Sequence, residues 1–278
     1  MKKRDSAILR FMYHTVPGRI ILKAATSRLV SRVCGAYLSC ALSKPLIPGF
    51  LRKNNIDLSE YEDTKFKSFN DCFTRKIKPN ARPIDLSPES LIAPCDGYLS
   101  AYKINGNTVI PVKHCRYNIE SLLENDKLAE EYEDGICLVF RLCVNNYHRY
   151  CYIDNGKKGD NTFIKGKLHT VRPIALETLP VFIRNCREYT VIETENFGKV
   201  VQMEVGALMV GKIKNLHAEK EIQRGEEKGM FLFGGSTIIL LIKKDIAKIP
   251  DVIFDRTEHS EETPVKLGQR VGSSIKGL

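Results

Sequence analysis

The stretch "GEEKGMFLFGGSTIILLIKK" (225–244) decides the fold. It reads as one long hydrophobic β-segment, interrupted by Gly234-Gly235 and the Ser236-Thr237 pair. Further short apolar runs bounded by Gly, Asn or Asp precede it: "LIAPCDGYLSAYKI" (91–104), "GICLVFRLCV" (135–144), "YTVIETE" (189–195) and "GKVVQMEVGALMVGKI" (198–213). Helical patterns are confined to "NIESLLENDKLAEEY" (118–132), "PIALETLPVFIRN" (173–185) and a short helix in "SFNDCFTRKIKPNARPID" (68–85), capped by Ser68 or Asn70 and stopped by Pro79. Several strands, few helices and no βαβ alternation predict an α+β fold with an antiparallel β-rich domain. "NNIDLSEYEDTKF" (54–66) reads as a polar connector, and the polar stretch 255–278 as a tail along the surface.

The charge is distributed unevenly. Residues 1–53 carry eleven Lys or Arg against the single acid Asp5, so the whole +10 excess lies there, while residues 54–278 carry 32 of each sign. Such a segment needs an anionic partner. Apolar runs between the basic residues, as in "RIILKAATSRLVSRVCGAYLSCALSKPLIPGF" (19–50), favour a membrane surface over nucleic acid, whose basic arms are polar between charges. Two short helices broken near Thr26-Ser27 fit the charge phases better than one rod; a helical layer packed on the protein's own core is the alternative. The expected organisation is a basic, helical, membrane-associating segment over 1–60 followed by a catalytic domain over 61–278.

The longest uncharged run, "VCGAYLSCALS" (33–43), is far short of the ~18–20 apolar residues that span a bilayer. "MKKRDSAILRFM" starts like a signal peptide, but Arg10 breaks its apolar region. The nine cysteines form no C-x-x-C pair, which argues against a disulfide framework and a zinc site and for a reducing compartment. The expectation is a peripheral protein on the cytoplasmic face of a membrane, with no metal. Walker, G-x-G-x-x-G, H-E-x-x-H and G-x-S-x-G motifs are absent, which disfavours nucleotide-dependent and zinc-hydrolase chemistry.

A glycine pair inside a strand marks a bulge, a bend or a close backbone approach. It also permits a chemical alternative. A serine hydroxyl can attack the carbonyl of the preceding residue, turning amide into ester through a distorted backbone that glycine tolerates best. β-Elimination then cuts the chain and leaves dehydroalanine, which hydrolyses to ammonia and a pyruvoyl group, an electron sink for amine substrates.

Six separated blocks stand in one order: "FNDCFTRKIKPNARPID", "APCDGYLSAYKI", "YHRYCYIDNG", "LHTVRPIALETLPVFIRNCREY", "MEVGALMVGKI" and "RGEEKGMFLFGGST". From about Phe69 to Leu241 the chain resembles the pyruvoyl-dependent phosphatidylserine decarboxylase proenzymes of prokaryotic type. The resemblance implies self-cleavage between Gly235 and Ser236, giving chains 1–235 and 236–278 that stay together as a heterodimer, with further oligomerisation open. The implied cofactor is a covalent pyruvoyl group derived from Ser236, and the implied reaction is decarboxylation of phosphatidylserine in an anionic membrane through a Schiff base. Asp96 matches the acidic member of the self-cleavage apparatus, and His148 the histidine that handles substrate and returns a proton. Arg149, and Lys212, are candidates for headgroup contact.

Two positions depart from the family pattern: Cys151 stands where a second histidine is common, and Arg172 where asparagine is expected. The cleavage base is therefore Cys151 as thiolate, His148 in both duties, or another histidine such as His169. Rival readings are a pyruvoyl enzyme for another serine phospholipid or an amino acid, and a non-catalytic, lipoyl-like β-scaffold built on "VGALMVGKI". A nucleic-acid binder would leave the Gly-Gly-Ser without purpose.

Overall fold

A computed structural model of the protein describes residues 15, 17–18, 28–62, 64–106, 108–112, 115–168, 183–206, 213–233 and 236–275. Gly234, Gly235, His169, Arg172, Lys212 and most of the helix expected over 173–185 lie outside the described residues.

Eight antiparallel strands form the main sheet: β1 (Gly97–Lys103), β2 (Ile136–Leu142), β3 (Gly156–Ile164), β4 (Arg187–Thr194), β5 (Gly198–Val205), β6 (Lys220–Ile222), β7 (Ser236–Ile242) and β8 (Thr263–Val265). Their order is β6-β3-β4-β5-β7-β2-β1-β8, so β7 sits inside the sheet between β5 and β2. Its apolar run has a reason to be continuous, because both faces are covered. Ile238, Leu240 and Ile242 enter one core with Leu138, Phe140 and Leu99, while Ile239 and Leu241 enter a second with Val139, Met203 and Val201. Residues 238–242 are fully buried. At ~1.5–3 kcal/mol for each such side chain, these five residues contribute at most roughly 15 kcal/mol.

The opening stretch is not one strand. Glu227–Phe231 belongs to a separate three-stranded sheet with Ile213–Asn215 and Arg149–Cys151, whereas Ser236–Ile242 is β7. The chain changes sheets between Phe231 and Ser236. Both flanks are tied to β5: β7 pairs with it directly, and Lys228 reaches Glu204 with Nζ 2.7 Å from both carboxylate oxygens. Both side chains of that ion pair are fully buried. Burial raises the Glu204 pKa, against the lowering effect of Lys228.

Six helices are described: α1 (Arg28–Ser39), α2 (Leu46–Lys53), α3 (Phe69–Phe73), α4 (Ile119–Leu123), α5 (Asp126–Glu130) and α6 (Asp251–Glu258). Among the described residues, no helix is long and apolar enough to cross a membrane. Ser68 caps α3 by accepting from the Asp71 amide. The helix expected over 118–132 is two, because Glu124 turns left-handed (φ 48°) and Asn125 caps a new start. The 173–185 helix does not reach its expected end, since Ile183–Arg184 pairs as a short strand with Lys167–Leu168. The tail is also corrected. Thr263–Val265 edges the main sheet, and Arg270–Ser274 pairs between Ser90–Ile92 and Ala247–Lys248. Val265, Leu267 and Val271 are buried, an apolar period of two carried inside a polar composition.

Candidate active site

Ser236 is the first residue of β7, 2 % exposed, and lies opposite Leu142 of β2. By alternation its side chain shares the face of Ile238 and Leu240, the face packed with Leu142, Tyr147, Cys95 and Cys151. Tyr98 pairs with Arg141, which sets Gly97 beside Leu142. Ser236, Leu142 and Gly97 thus form one row across three strands, about 10 Å long at ~4.8 Å per strand. Gly97 permits the close pairing: a Cβ there would stand 2.6 Å from the Arg141 carbonyl oxygen.

Asp96 precedes that row and is buried. Its Oδ1 accepts from Arg82 Nε (2.9 Å) and from the Leu267 amide (2.9 Å), and its Oδ2 from Arg82 Nη2 (2.8 Å). Arg82 also reaches Glu60 at 2.9 Å. The carboxylate is therefore filled by partners that tie β1 to the tail. Cys151 lies alongside, its amide donating to the Pro94 carbonyl at 2.9 Å. Burial, reinforced by the Asp96 charge, pushes the Cys151 thiol up to about 12, so it is held protonated.

His148 is 1 % exposed and packs against Phe73, ring centroids 3.9 Å apart. Phe73 also meets Phe233 at 5.3 Å, so His148 and Phe233 both pack on the Phe73 ring. The His148 carbonyl accepts from the Phe231 amide at 2.9 Å. Its Nδ1 lies 2.9 Å from the Asn146 carbonyl oxygen. A carbonyl can only accept, so Nδ1 carries the hydrogen and Nε2 keeps its lone pair. Burial first, then the Arg75 charge, push the imidazole down to about 3.

Arg149 donates from Nε to the Thr74 carbonyl (2.8 Å) and from Nη1 to Glu227 (2.8 Å). With Tyr147, Cys151 and Arg82 it lines a cavity of about 280 Å³. A second cavity, about 490 Å³, touches Arg82, Asp96, Gly97 and Asn146. Among the described residues no cluster of His, Cys, Asp or Glu is arranged to hold a metal ion.

Three contributors were not legible one by one. Asn70 donates through Nδ2 to Ser39 of α1 (2.9 Å) and accepts through Oδ1 from the Phe233 amide (3.2 Å). Arg82 and Arg75 sit in the same block, "FNDCFTRKIKPNARPID", whose dense polar and aromatic pattern was the available signal. α1 and α2 pack on this region through Leu38, Ile47 and Phe50, the last 4.9 Å from the Phe69 ring. These helices and the 3₁₀ turn that joins them (Ala41–Ser43) expose Val33, Leu42 and Leu46, Leu42 at 76 %, among the exposed cations Arg32, Lys44, Arg52 and Lys53.

The family model described as phosphatidylserine decarboxylase matches residues 69–273. The chain is 42 % identical over 274 residues to a protein named phosphatidylserine decarboxylase proenzyme 2 from Clostridium acetobutylicum, covering 98 % of this chain and 94 % of that one. A phosphatidylserine decarboxylase proenzyme from Ruminiclostridium cellulolyticum is 42 % identical, with 96 % and 91 % covered. One from Clostridium perfringens is 41 % identical, with 88 % and 85 % covered.

Proposed function

The chain belongs to the phosphatidylserine decarboxylase family, and from that premise we propose that it converts phosphatidylserine to phosphatidylethanolamine with a pyruvoyl group made from its own Ser236. The observation that carries this reading is the place of Ser236: buried, at the head of a central strand, where the chain passes from one sheet to another. A keto terminus formed there fits the surroundings. β7 remains clamped by β5 and β2, and the neighbouring Thr237 Oγ1 is buried with no hydrogen-bond partner among the described residues.

In self-cleavage, Ser236 Oγ gives its proton to a base and bonds to the Gly235 carbonyl carbon, while the amide nitrogen leaves as an amine and takes up a proton. Loss of the Ser236 Cα proton then expels the Gly235 carboxylate, and water replaces nitrogen as ammonia. His148 suits the base because its Nε2 lone pair is available at neutral pH, whereas the buried Cys151 thiol holds its proton. Asp96 acts by position: it fixes Arg82 and the Leu267 amide around the row that contains Ser236.

When formed, the keto group supplies an electron sink for the pair left behind as carbon dioxide departs. A proton held transiently at His148 Nε2 is returned to the carbon that lost the carboxyl group. The low basicity of the imidazole in this site makes the return favourable. Arg149, on the wall of the 280 Å³ cavity, is placed to meet a headgroup phosphate. The exposed apolar and basic residues of α1, α2 and the turn between them lie on anionic membrane, each nearby cation adding ~1 kcal/mol. The site of action is the cytoplasmic face, and the cleaved chains stay associated through β7, β8 and the 270–274 strand.

The test is a denaturing gel of freshly purified protein. The wild type resolves into a large and a very small fragment and Ser236→Ala stays whole; an uncut wild type would refute self-processing.

A further inference from the structure

We propose that Arg75 is a positioning residue that holds His148 in one neutral tautomer, with Nε2 as the proton acceptor, by sharing the Asn146 carbonyl with it. The inference rests on the reading of His148 as the base given above. Arg75 is 2 % exposed and follows Phe73, on whose ring His148 packs, by two residues. Its Nη2 donates to the carbonyls of Asn145 (3.0 Å) and Asn146 (3.3 Å) and to the Tyr61 hydroxyl (3.1 Å). The guanidinium carbon lies 4.3 Å from the Tyr61 ring centroid.

His148 Nδ1 is 2.9 Å from that same Asn146 oxygen, so the two donors stand no more than about 6 Å apart. The loop bearing the shared carbonyl is itself fixed: the Cys143 amide donates to Asn146 Oδ1 at 2.6 Å and the Asn146 amide to the Cys143 carbonyl at 3.0 Å. Among the described residues Arg75 makes no ion pair. Its charge therefore falls on the imidazole instead of being cancelled by a carboxylate.

The other titratable groups on the elements around His148 do not replace that effect. Cys72 on α3 and Cys151 are buried thiols raised by desolvation, and Tyr147 is raised in the same way. Arg149 is paired with Glu227, and Lys228 with Glu204. A protonated ring would place a second cation beside Arg75; a flipped ring would aim a lone pair at the Asn146 oxygen. Arg75 opposes the first directly and the second by anchoring the carbonyl. His148 is thus left one proton-accepting nitrogen, and a proton placed there is quickly surrendered.

The experiment is a pH titration of histidine-labelled full-length Ser236→Ala protein by NMR, with His148 assigned by loss of its signal in His148→Gln. The parent shows the Nδ1–H signature from pH 5 to 8. Arg75→Gln raises the His148 midpoint by about one pH unit or more and adds Nε2–H signal, while Arg75→Lys keeps the parent pattern. Tyr61→Phe, which removes one contact to the guanidinium, gives a smaller shift in the same direction and serves if Arg75→Gln does not fold. An unmoved midpoint and tautomer in these variants overturns the proposal. The titration needs no cleavage, so failure of the wild type to mature would count against the self-processing reading and leave this result readable by itself.

Discussion

Removing the Asp96 carboxylate strips three buried donors of their acceptor at once. Arg82 Nε and Nη2 and the Leu267 amide all end on it, at 2.8–2.9 Å. The two side chains are 5 % and 7 % exposed, so bulk water has little access to the stripped donors. Breaking a buried ion pair from one side costs ~3–5 kcal/mol, and an unpaired buried donor ~1–3 kcal/mol. Glu60 stays on Arg82 Nη1 at 2.9 Å but is 45 % exposed, which softens the loss without abolishing it. Asp96→Ala should therefore destabilise by about 3 kcal/mol, on the order of a hundredfold in the folding equilibrium. The assay is urea unfolding in the Ser236→Ala background, where no cleavage intervenes. A double-mutant cycle with Arg82→Met isolates the pair, with an expected coupling of about 2 kcal/mol. A loss below about 1 kcal/mol, or coupling near zero, would refute the clamp. The clamp matters for function because Leu267 lies in the expected small chain, so the same contact joins the two fragments.

Maturation of Cys151→Ala should stay within about threefold of wild type on a time-course gel, because a thiol pushed up to about 12 is not a base at neutral pH; abolished cleavage would reinstate the thiol. His148→Gln should block maturation. Stability should also depend on His148: with the imidazole pushed down to about 3, the unfolded chain binds a proton below about pH 6.5 that the folded one refuses. The contribution is intact above pH 6.5 and falls by roughly 1.4 kcal/mol per pH unit toward pH 3, and urea midpoints of His148→Gln should show a flatter slope over that window. Leu42→Ser combined with Lys44→Glu should lower sedimentation with anionic vesicles by tenfold or more while sparing turnover of detergent-dispersed substrate; undiminished sedimentation would remove the turn between α1 and α2 from the membrane contact.

The central strands were legible because burial on both faces demands continuous apolar residues, and "STIILLI" and "ICLVFRL" meet that demand. The α3 cap was legible for a local reason, a serine side chain facing an amide three residues on. Strand β3, "GKKGDNTFI", was not, since its pairing with β4 and β6 is made by backbone and its residues are mostly polar. The tail was misjudged from composition, although its period-two apolar residues carried the signal. Ser236 stands out as a candidate because the proposed chemistry needs glycine directly before serine. Asp96 is a candidate from its motif, but its partners are not readable from sequence: Arg82 is fourteen residues away and Leu267 lies 171 away, brought together by the fold. The burial of Cys151 and the fixed tautomer of His148 are likewise products of packing between distant segments.

Intact-mass analysis of the freshly purified wild type reads the fate of the 235–236 bond directly. Self-cleavage gives two masses whose boundary falls between residues 235 and 236, the smaller lacking the nitrogen of a seryl terminus and gaining mass on borohydride reduction. A single mass for residues 1–278, or a small fragment that begins with an ordinary serine amine, would contradict it.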